Sequence, residues 1–172
     1  MNYKLFSVAS SKLNHSQIKA ICHLKDKFWK FGIKSQMKWY KKNVKKNDIH
    51  NLFYIKSKIA GYTLLRKRTC KIKGLNKKIN YLYFDTLIID KKYKGKNLSN
   101  LLMNFNHKII KQSGCFSFLI CKKKLVNFYK KNKWVKLNTK NIEIEDHLFF
   151  TNAMIFNKKE ANKKKYYFYI NK

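Results

Sequence analysis

Residues 81–103 read YLYFDTLIIDKKYKGKNLSNLLM. An apolar, strand-like run up to Ile89 ends in a basic turn containing Gly95 and passes straight into an apolar-periodic helix. A strand, a tight turn and a helix N-terminus together form a cradle for phosphate or pyrophosphate, because the first-turn amides lack helical partners and point outward. The turn ends at Asn97, whose side chain can satisfy such amides and so marks a helix start.

Working outward, residues 3–9 (YKLFSVA) read as a first strand. Asn14 or Ser16 then caps a helix whose apolar positions are Ile18, Ile21, Cys22, Leu24, Phe28 and Trp29. A second helix is expected around 34–45. Residues 52–56 and 59–66 read as antiparallel strands joined at Ser57-Lys58, and the basic stretch 67–78 as a loop. A long strand follows at 80–89 and a helix at 98–111, with Leu98, Leu101, Leu102, Phe105, Ile109 and Ile110 along its buried stripe. Ser113-Gly114 stops that helix. Further strands are expected at 115–121 and 134–137, with a helical segment at 125–131 between them. Residues 148–156 and 166–170 read as two more strands joined by a Lys-rich hairpin turn. Helices falling between strands predict a mixed α/β or α+β fold.

With 172 residues, 45% of them apolar, the chain can bury a sizeable core. It has no proline and five glycines, which argues against an interdomain linker and for one domain over 1–172. A formal charge of +33 would ordinarily point to nucleic acid. Of the 41 basic residues, however, only Arg66 and Arg68 are arginine, the residue that bidentate phosphate and base contacts favour. Abundant Lys, Asn, Ile, Tyr and Phe with scarce Gly and Pro mark an AT-rich coding sequence. Nucleic acid is therefore expected to bind only non-specifically, through charge. The four cysteines and five histidines are scattered without metal-ligand spacing, so no metal is expected. No signal-peptide core and no apolar run of about 18 residues is present, so a cytoplasmic setting without membrane contact is expected.

The order of motifs resembles the GNAT superfamily of acyl-CoA-dependent N-acetyltransferases. In that family a central strand leads into a pyrophosphate loop of the form Arg/Gln-x-x-Gly-x-Gly/Ala. The matching residues here are Lys94-Gly95-Lys96-Asn97-Leu98-Ser99, preceded by IIDKKY. A second family motif, Phe-Tyr-x-x-x-Gly-Phe/Trp, is matched by Phe128-Tyr129-Lys130-Lys131-Asn132-Lys133-Trp134. Ile59-Ala60-Gly61-Tyr62 resembles the family's hydrophobic-x-Gly strand. Lys94 replaces the family's Arg or Gln, and Asn97, Ser99 and Lys133 stand where glycine is usual. If position 133 needs positive φ, lysine there costs on the order of 1 kcal/mol.

The resemblance implies a GNAT-like fold: a central, mostly antiparallel mixed sheet of six to seven strands flanked by about four helices, with the motif-bearing core at 80–137. It implies transfer of acetyl from acetyl-CoA, as co-substrate, to a primary amine of a small molecule or protein by direct attack. The backbone of Leu87, Ile88 and Ile89 would hold the pantetheine arm and polarise the thioester carbonyl. Lys94 and Lys96, with the amides of Gly95, Asn97, Leu98 and Ser99, would hold the pyrophosphate. Lys91 and Lys92 would reach the 3′-phosphate. Tyr129 would protonate the departing thiolate; Asp85, a carboxylate inside an apolar strand, would serve as base or amine ligand, or else pair with a neighbouring lysine. Asp90 reads as a turn cap. The segment Trp29–Trp39, with Phe31 and Tyr40, would lie over the acceptor groove, or else form two packed helices. The alternative is an RNA- or ribosome-associated basic protein with a catalytically inactive core of this kind, and a homodimer is compatible with either reading.

Overall fold

The computed structural model describes residues 2–145 and 152–171. The chain forms two compact units, one of residues up to Arg66 with Thr86–Asn106, the other of Lys67–Asp85 with residues from His107 onward.

In the first unit, strand β1 (Tyr3–Ala9) pairs antiparallel with β2 (Ile49–Ile55), and β2 with the first half of β3 (Lys58–Ile72). The C-terminal end of β4 (Ile79–Ile89) lies on the other side of β3. The β2–β3 turn is Lys56-Ser57, one residue earlier than the sequence suggests, with Lys56 in the left-handed region at φ 55°.

Helix α1 (His15–Trp29) begins in a capping box: Asn14 Oδ1 accepts from the Gln17 amide at 2.9 Å, and Gln17 Oε1 from the Asn14 amide at 3.0 Å. Its buried stripe includes Ile21 and Leu24, which pack with Leu52, Tyr62, Leu64 and Ile88 on one face of the strands. Helix α2 (Ile33–Asn43) follows after a left-handed Lys30. Helix α3 (Leu98–Gln112) presents Leu98, Leu101 and Leu102 to the opposite face, against Phe53, Ile55, Ala60, Leu87 and Ile89. Burial alternates from Thr86 to Ile89, with Ile88 packed on the α1 face and Leu87 and Ile89 on the α3 face, so one strand end feeds both faces. A fully buried Asn106 ties α3 to the strands: it accepts from Asn51 Nδ2 at 2.7 Å and donates to Thr63 Oγ1 at 3.1 Å.

In the second unit, β4 pairs in parallel with β5 (Phe116–Cys121) over Tyr81–Tyr83 and Phe116–Phe118. Strand β8 (Asn152–Phe156) pairs antiparallel with β5 and with β6 (Val135–Lys136). Helix α4 (Val126–Lys131) precedes β6. Phe118 and Phe168 stack at 3.7 Å between centroids, in a core that also holds Tyr81, Phe116, Ile144 and Ile155.

Two sequence expectations are corrected here. The stretch 67–72, read as loop, continues β3: Arg68, Cys70 and Ile72 are buried while Lys67 and Lys71 are exposed, a strand alternation hidden under its basic residues. Arg68 Nε donates to the Ile170 carbonyl at 2.8 Å. Nor do the last two strands form a hairpin. Strand β9 (Tyr166–Phe168) pairs antiparallel with β3, at Cys70–Ile72, and in parallel with β7 (Ile142–Ile144), a three-residue strand the sequence did not reveal. The expected strand at 148–156 is present as β8 from Asn152; residues 148–151 lie outside the described residues. Among the described residues, the mostly antiparallel mixed sheet and its four α-helices match the expected architecture.

Candidate active site

The phosphate-cradle residues all fall in the first unit. After Ile89, Asp90 caps a short 3-10 turn, accepting from the Lys92 amide at 3.2 Å and pairing with Lys27 of α1 at 2.7 Å. Burial alone would raise the pKa of the Asp90 carboxyl, but its hydrogen bonds from Lys27 and Lys92 and their charges outweigh that and hold it below its usual value. The turn is thus anchored at its start.

The Lys94 and Lys96 amides donate back to the Lys91 and Tyr93 carbonyls at 3.1 and 3.4 Å. Among the described residues, the amides of Gly95, Asn97, Leu98 and Ser99 donate to no protein group. Gly95 and Asn97 both have positive φ, 81° and 56°. Left-handed residues interspersed through a turn curve successive amides into a concave anion nest. A Cβ at Gly95 would meet nothing within 4 Å, so the approach is open. Asparagine, the side chain that best tolerates this backbone, stands where the family has glycine. The free amides, the exposed Lys94 and Lys96 and the start of a fifteen-residue helix fit a pyrophosphate. Lys91 and Lys92 lie over the rings of Phe28 and Tyr93, at 5.7 and 4.8 Å from the centroids.

Gly61 sets the position of the adjoining strand end. A Cβ there would meet Ile89 Cδ1 at 2.6 Å, Phe53 Cβ at 3.1 Å and the Ile88 carbonyl oxygen at 3.2 Å. The Asp90 amide donates to the Ala60 carbonyl at 2.7 Å, so it faces β3. Alternation then turns the backbone groups of Ile88 toward β3 and those of Leu87 and Ile89 away from it. Of the three residues expected to offer donors, Leu87 and Ile89 have the suitable orientation.

Tyr129 and Asp85 fall in the second unit. Tyr129 is buried on α4, its ring edge-on to Phe84 (6.2 Å), Trp134 (5.9 Å) and Phe128 (5.2 Å). Burial, reinforced by Cys121, raises the pKa of its phenol well above the ordinary tyrosine value, so the phenol keeps its proton. Lys133, at the family's glycine position, does have positive φ, 64°. It lets the Trp134 amide turn back to the Tyr129 carbonyl at 3.1 Å, which fixes the indole beside the tyrosine. Asp85 is half-buried. Alternation along β4 puts it on the face opposite Phe84, and therefore opposite Tyr129. The structure does not bring these two side chains together.

Sequence reasoning passed over Phe84, the β4 ring against Tyr129, although the alternation YLYFDT could have singled it out. It also passed over the cleft of about 410 Å³ between α1 and the β2–β3 turn, lined by Ser16, His23, Lys27, Tyr54 and Lys58 and by no carboxylate. Among the described residues no three His, Cys, Asp or Glu side chains gather as metal ligands. No described helix is long and apolar enough to cross a membrane.

No protein-family model matches the chain, and no curated protein matches it. Solved structures do. An acyl-CoA N-acyltransferase from Pseudomonas aeruginosa superposes with a TM-score of 0.65 at 11% identity, over 90% of this chain and 99% of that one. An acetyltransferase of the GNAT family from Staphylococcus aureus Mu50 gives 0.60 at 12% identity, over 88% and 98%. The aminoglycoside N-acetyltransferase AAC(6′)-Iy in complex with CoA gives 0.57 at 7% identity, over 77% and 85%. The fold of this chain is the GNAT acetyltransferase fold.

Proposed function

We propose that this protein is an acyl-CoA-dependent N-acetyltransferase, with residues 1–172 acting as one catalytic domain. The observation that carries the reading is the set of unpartnered amides at Gly95, Asn97, Leu98 and Ser99, in the GNAT fold and at the place where that fold passes from strand to helix. The CoA complex of a protein of similar fold supports the choice of ligand.

Acetyl-CoA supplies the activated acyl group. Lys94, Lys96 and the four amides bind its pyrophosphate, and backbone donors of Leu87 and Ile89 orient the thioester and polarise its carbonyl. The acceptor amine attacks the carbonyl carbon, the C–S bond breaks, and the amine nitrogen loses a proton while the thiolate gains one. Tyr129 donates toward the sulfur. Its raised pKa keeps the phenol neutral and a donor at any working pH. Asp85 accepts from the attacking amine; standing on the opposite face of β4, it does not exchange protons with Tyr129 directly. The cleft beside α1 is taken as the acceptor's entry; its lining holds Lys58, His23 and Lys27, the last already paired with Asp90, and favours a neutral or anionic amine over a polycation.

The test is CoA thiol release from acetyl-CoA across a panel of primary amines. Tyr129→Phe should lower kcat by about 10²-fold or more with little change in KM, as expected for a lost proton donor. The kcat profile of the unmodified enzyme should show no fall up to about pH 10, since a neutral Tyr129 has nothing to lose there. Thiol release unaffected by Tyr129→Phe would remove the tyrosine from this role. No release with any amine, together with no CoA binding, would favour the RNA-binding alternative.

A further inference from the structure

The junction of α1 and α2, which the resemblance would place over the acceptor groove, carries an exposed aromatic cluster to which the proposed acyl-transfer steps assign no role. Phe31 is 68% exposed, Trp29 42% and Phe28 37%. The junction has a defined shape: the Lys30 amide donates to the Asp26 carbonyl at 2.8 Å, and the Gly32 amide to Asp26 Oδ1 at 2.7 Å. Asp26, the one carboxylate between residues 15 and 47, is thereby spent on the loop.

Beyond it, α2 displays two rows at four-residue spacing, Ile33-Met37-Lys41 and Lys34-Lys38-Lys42. Such rows lie side by side on a helix. They line a shallow groove of about 660 Å³ whose floor is apolar and whose rim is lysine. The outcome is an exposed apolar junction, Trp29 and Phe31, next in the chain to Lys30 and to the lysine rows of α2, with no acidic residue from position 27 to 47.

We propose that this junction and the exposed face of α2 dock on an anionic lipid surface, with Phe31 and Trp29 entering the headgroup layer and the lysines lying against lipid phosphates. Aromatic residues beside a lysine-rich helical face are the composition that lies in a membrane interface. The charge supplies the complementarity, each lysine near an anionic leaflet adding to attraction. Single-stranded nucleic acid fits less well, because bases stack on open aromatic faces. Here Lys91 stands over the Phe28 ring at 5.7 Å, and Lys25, which sits on Trp39 at 3.6 Å, is 5.8 Å from the Trp29 ring; among the described residues Phe31 is left as one open face, where stacking of successive bases needs several. A lipid interface needs ring burial, not a free face. The sequence expectation of no membrane contact rested on the absence of a spanning segment, which surface docking does not require. The proposal is independent of the acetyl-transfer chemistry.

The experiment is co-sedimentation of the full chain with vesicles of phosphatidylcholine alone, or with roughly 30% phosphatidylserine, at ~0.15 M salt. Three variants accompany it: Trp29→Ser/Phe31→Ser, the triple Lys34→Glu/Lys38→Glu/Lys42→Glu, and a charge-matched control, Lys159→Glu/Lys164→Glu/Lys165→Glu, on exposed residues of the second unit. Far-UV circular dichroism and urea midpoints confirm that each is folded. The proposal expects binding to the anionic vesicles only, with both junction variants weakened about tenfold or more and the control weakened far less. Equal loss in the two charge triples, or full binding by Trp29→Ser/Phe31→Ser, would overturn it by showing diffuse attraction. Junction-dependent binding of a short single-stranded RNA, with no such dependence on vesicles, would overturn it in favour of nucleic acid.

Discussion

Replacing Gly61 by alanine tests how tightly the β4 end is held. The added Cβ would lie 2.6 Å from Ile89 Cδ1, 3.1 Å from Phe53 Cβ and 3.2 Å from the Ile88 carbonyl oxygen. The first contact, the tightest, is with the tip of a side chain packed against the core, and relieving it pushes Ile89 off its rotamer at about 0.5–1.5 kcal/mol. The other two are with fixed atoms and need a shift of a few tenths of an ångström in the strands. Overpacking of this kind costs about 1–3 kcal/mol. Ile89→Val removes Cδ1 at a cost of about 0.5–1.5 kcal/mol by itself. In the double variant the worst clash is gone, so the two costs should fall short of their sum by about 1 kcal/mol. Urea denaturation of the four proteins supplies the cycle. Additivity within about 0.5 kcal/mol would refute the contact as the source of the cost. CoA affinity should follow the same pattern, lowest for Gly61→Ala alone, because Leu87 and Ile89 move with the strand.

Two further outcomes follow from buried polar groups. His50 is fully buried, with Ser10 Oγ 2.6 Å from its Nε2 and the Tyr62 hydroxyl 2.8 Å from Nδ1; burial, aided by the Lys25 charge, pushes its pKa down to about 3. Its ordinary value is about 6.5, so between those limits the unfolded chain binds a proton the folded one does not. Stability is therefore retained above about pH 6.5 and falls below it by about 1.4 kcal/mol per pH unit. Urea unfolding from pH 7 to 5 checks this, and a flat profile, or an unchanged slope in His50→Gln, would contradict it. His107, lowered to about 4 by burial, Lys111 and Lys133, adds in the same direction. Asn106→Leu strands Asn51 and Thr63 without their partner and should cost about 2–4 kcal/mol in urea. A loss under about 0.5 kcal/mol would show that the site rehydrates.

The central strand, the basic turn and α3 were legible because their signals are local: an apolar run, Gly95 and Asn97 at the turn, then a clean helical stripe. Asn97 and Lys133 were legible by substitution, each occupying a glycine position that the structure does hold at positive φ. What escaped was set by long-range pairing. The β3 extension through Lys67–Ile72 reads as a polar loop until Cys70 and Ile72 are seen opposite Phe168 and Tyr166. The three residues of β7 carry too short a pattern to register, and their partner β9 comes from more than twenty residues later. Asp85 and Tyr129 were each plausible by chemistry, and only the alternation along β4, fixed by Phe84 against Tyr129, shows them on opposite faces.

The most direct test of the account is calorimetric titration of acetyl-CoA and desulfo-CoA at ~0.3 M salt, where diffuse attraction between exposed charges is largely screened. Gly95→Asp places a carboxylate in the nest, and Asn97→Gly keeps its left-handed backbone. The account predicts stoichiometric binding of both ligands, abolished by Gly95→Asp and preserved in Asn97→Gly. Binding absent at that salt, or unchanged by Gly95→Asp, would contradict the cradle and with it the enzyme.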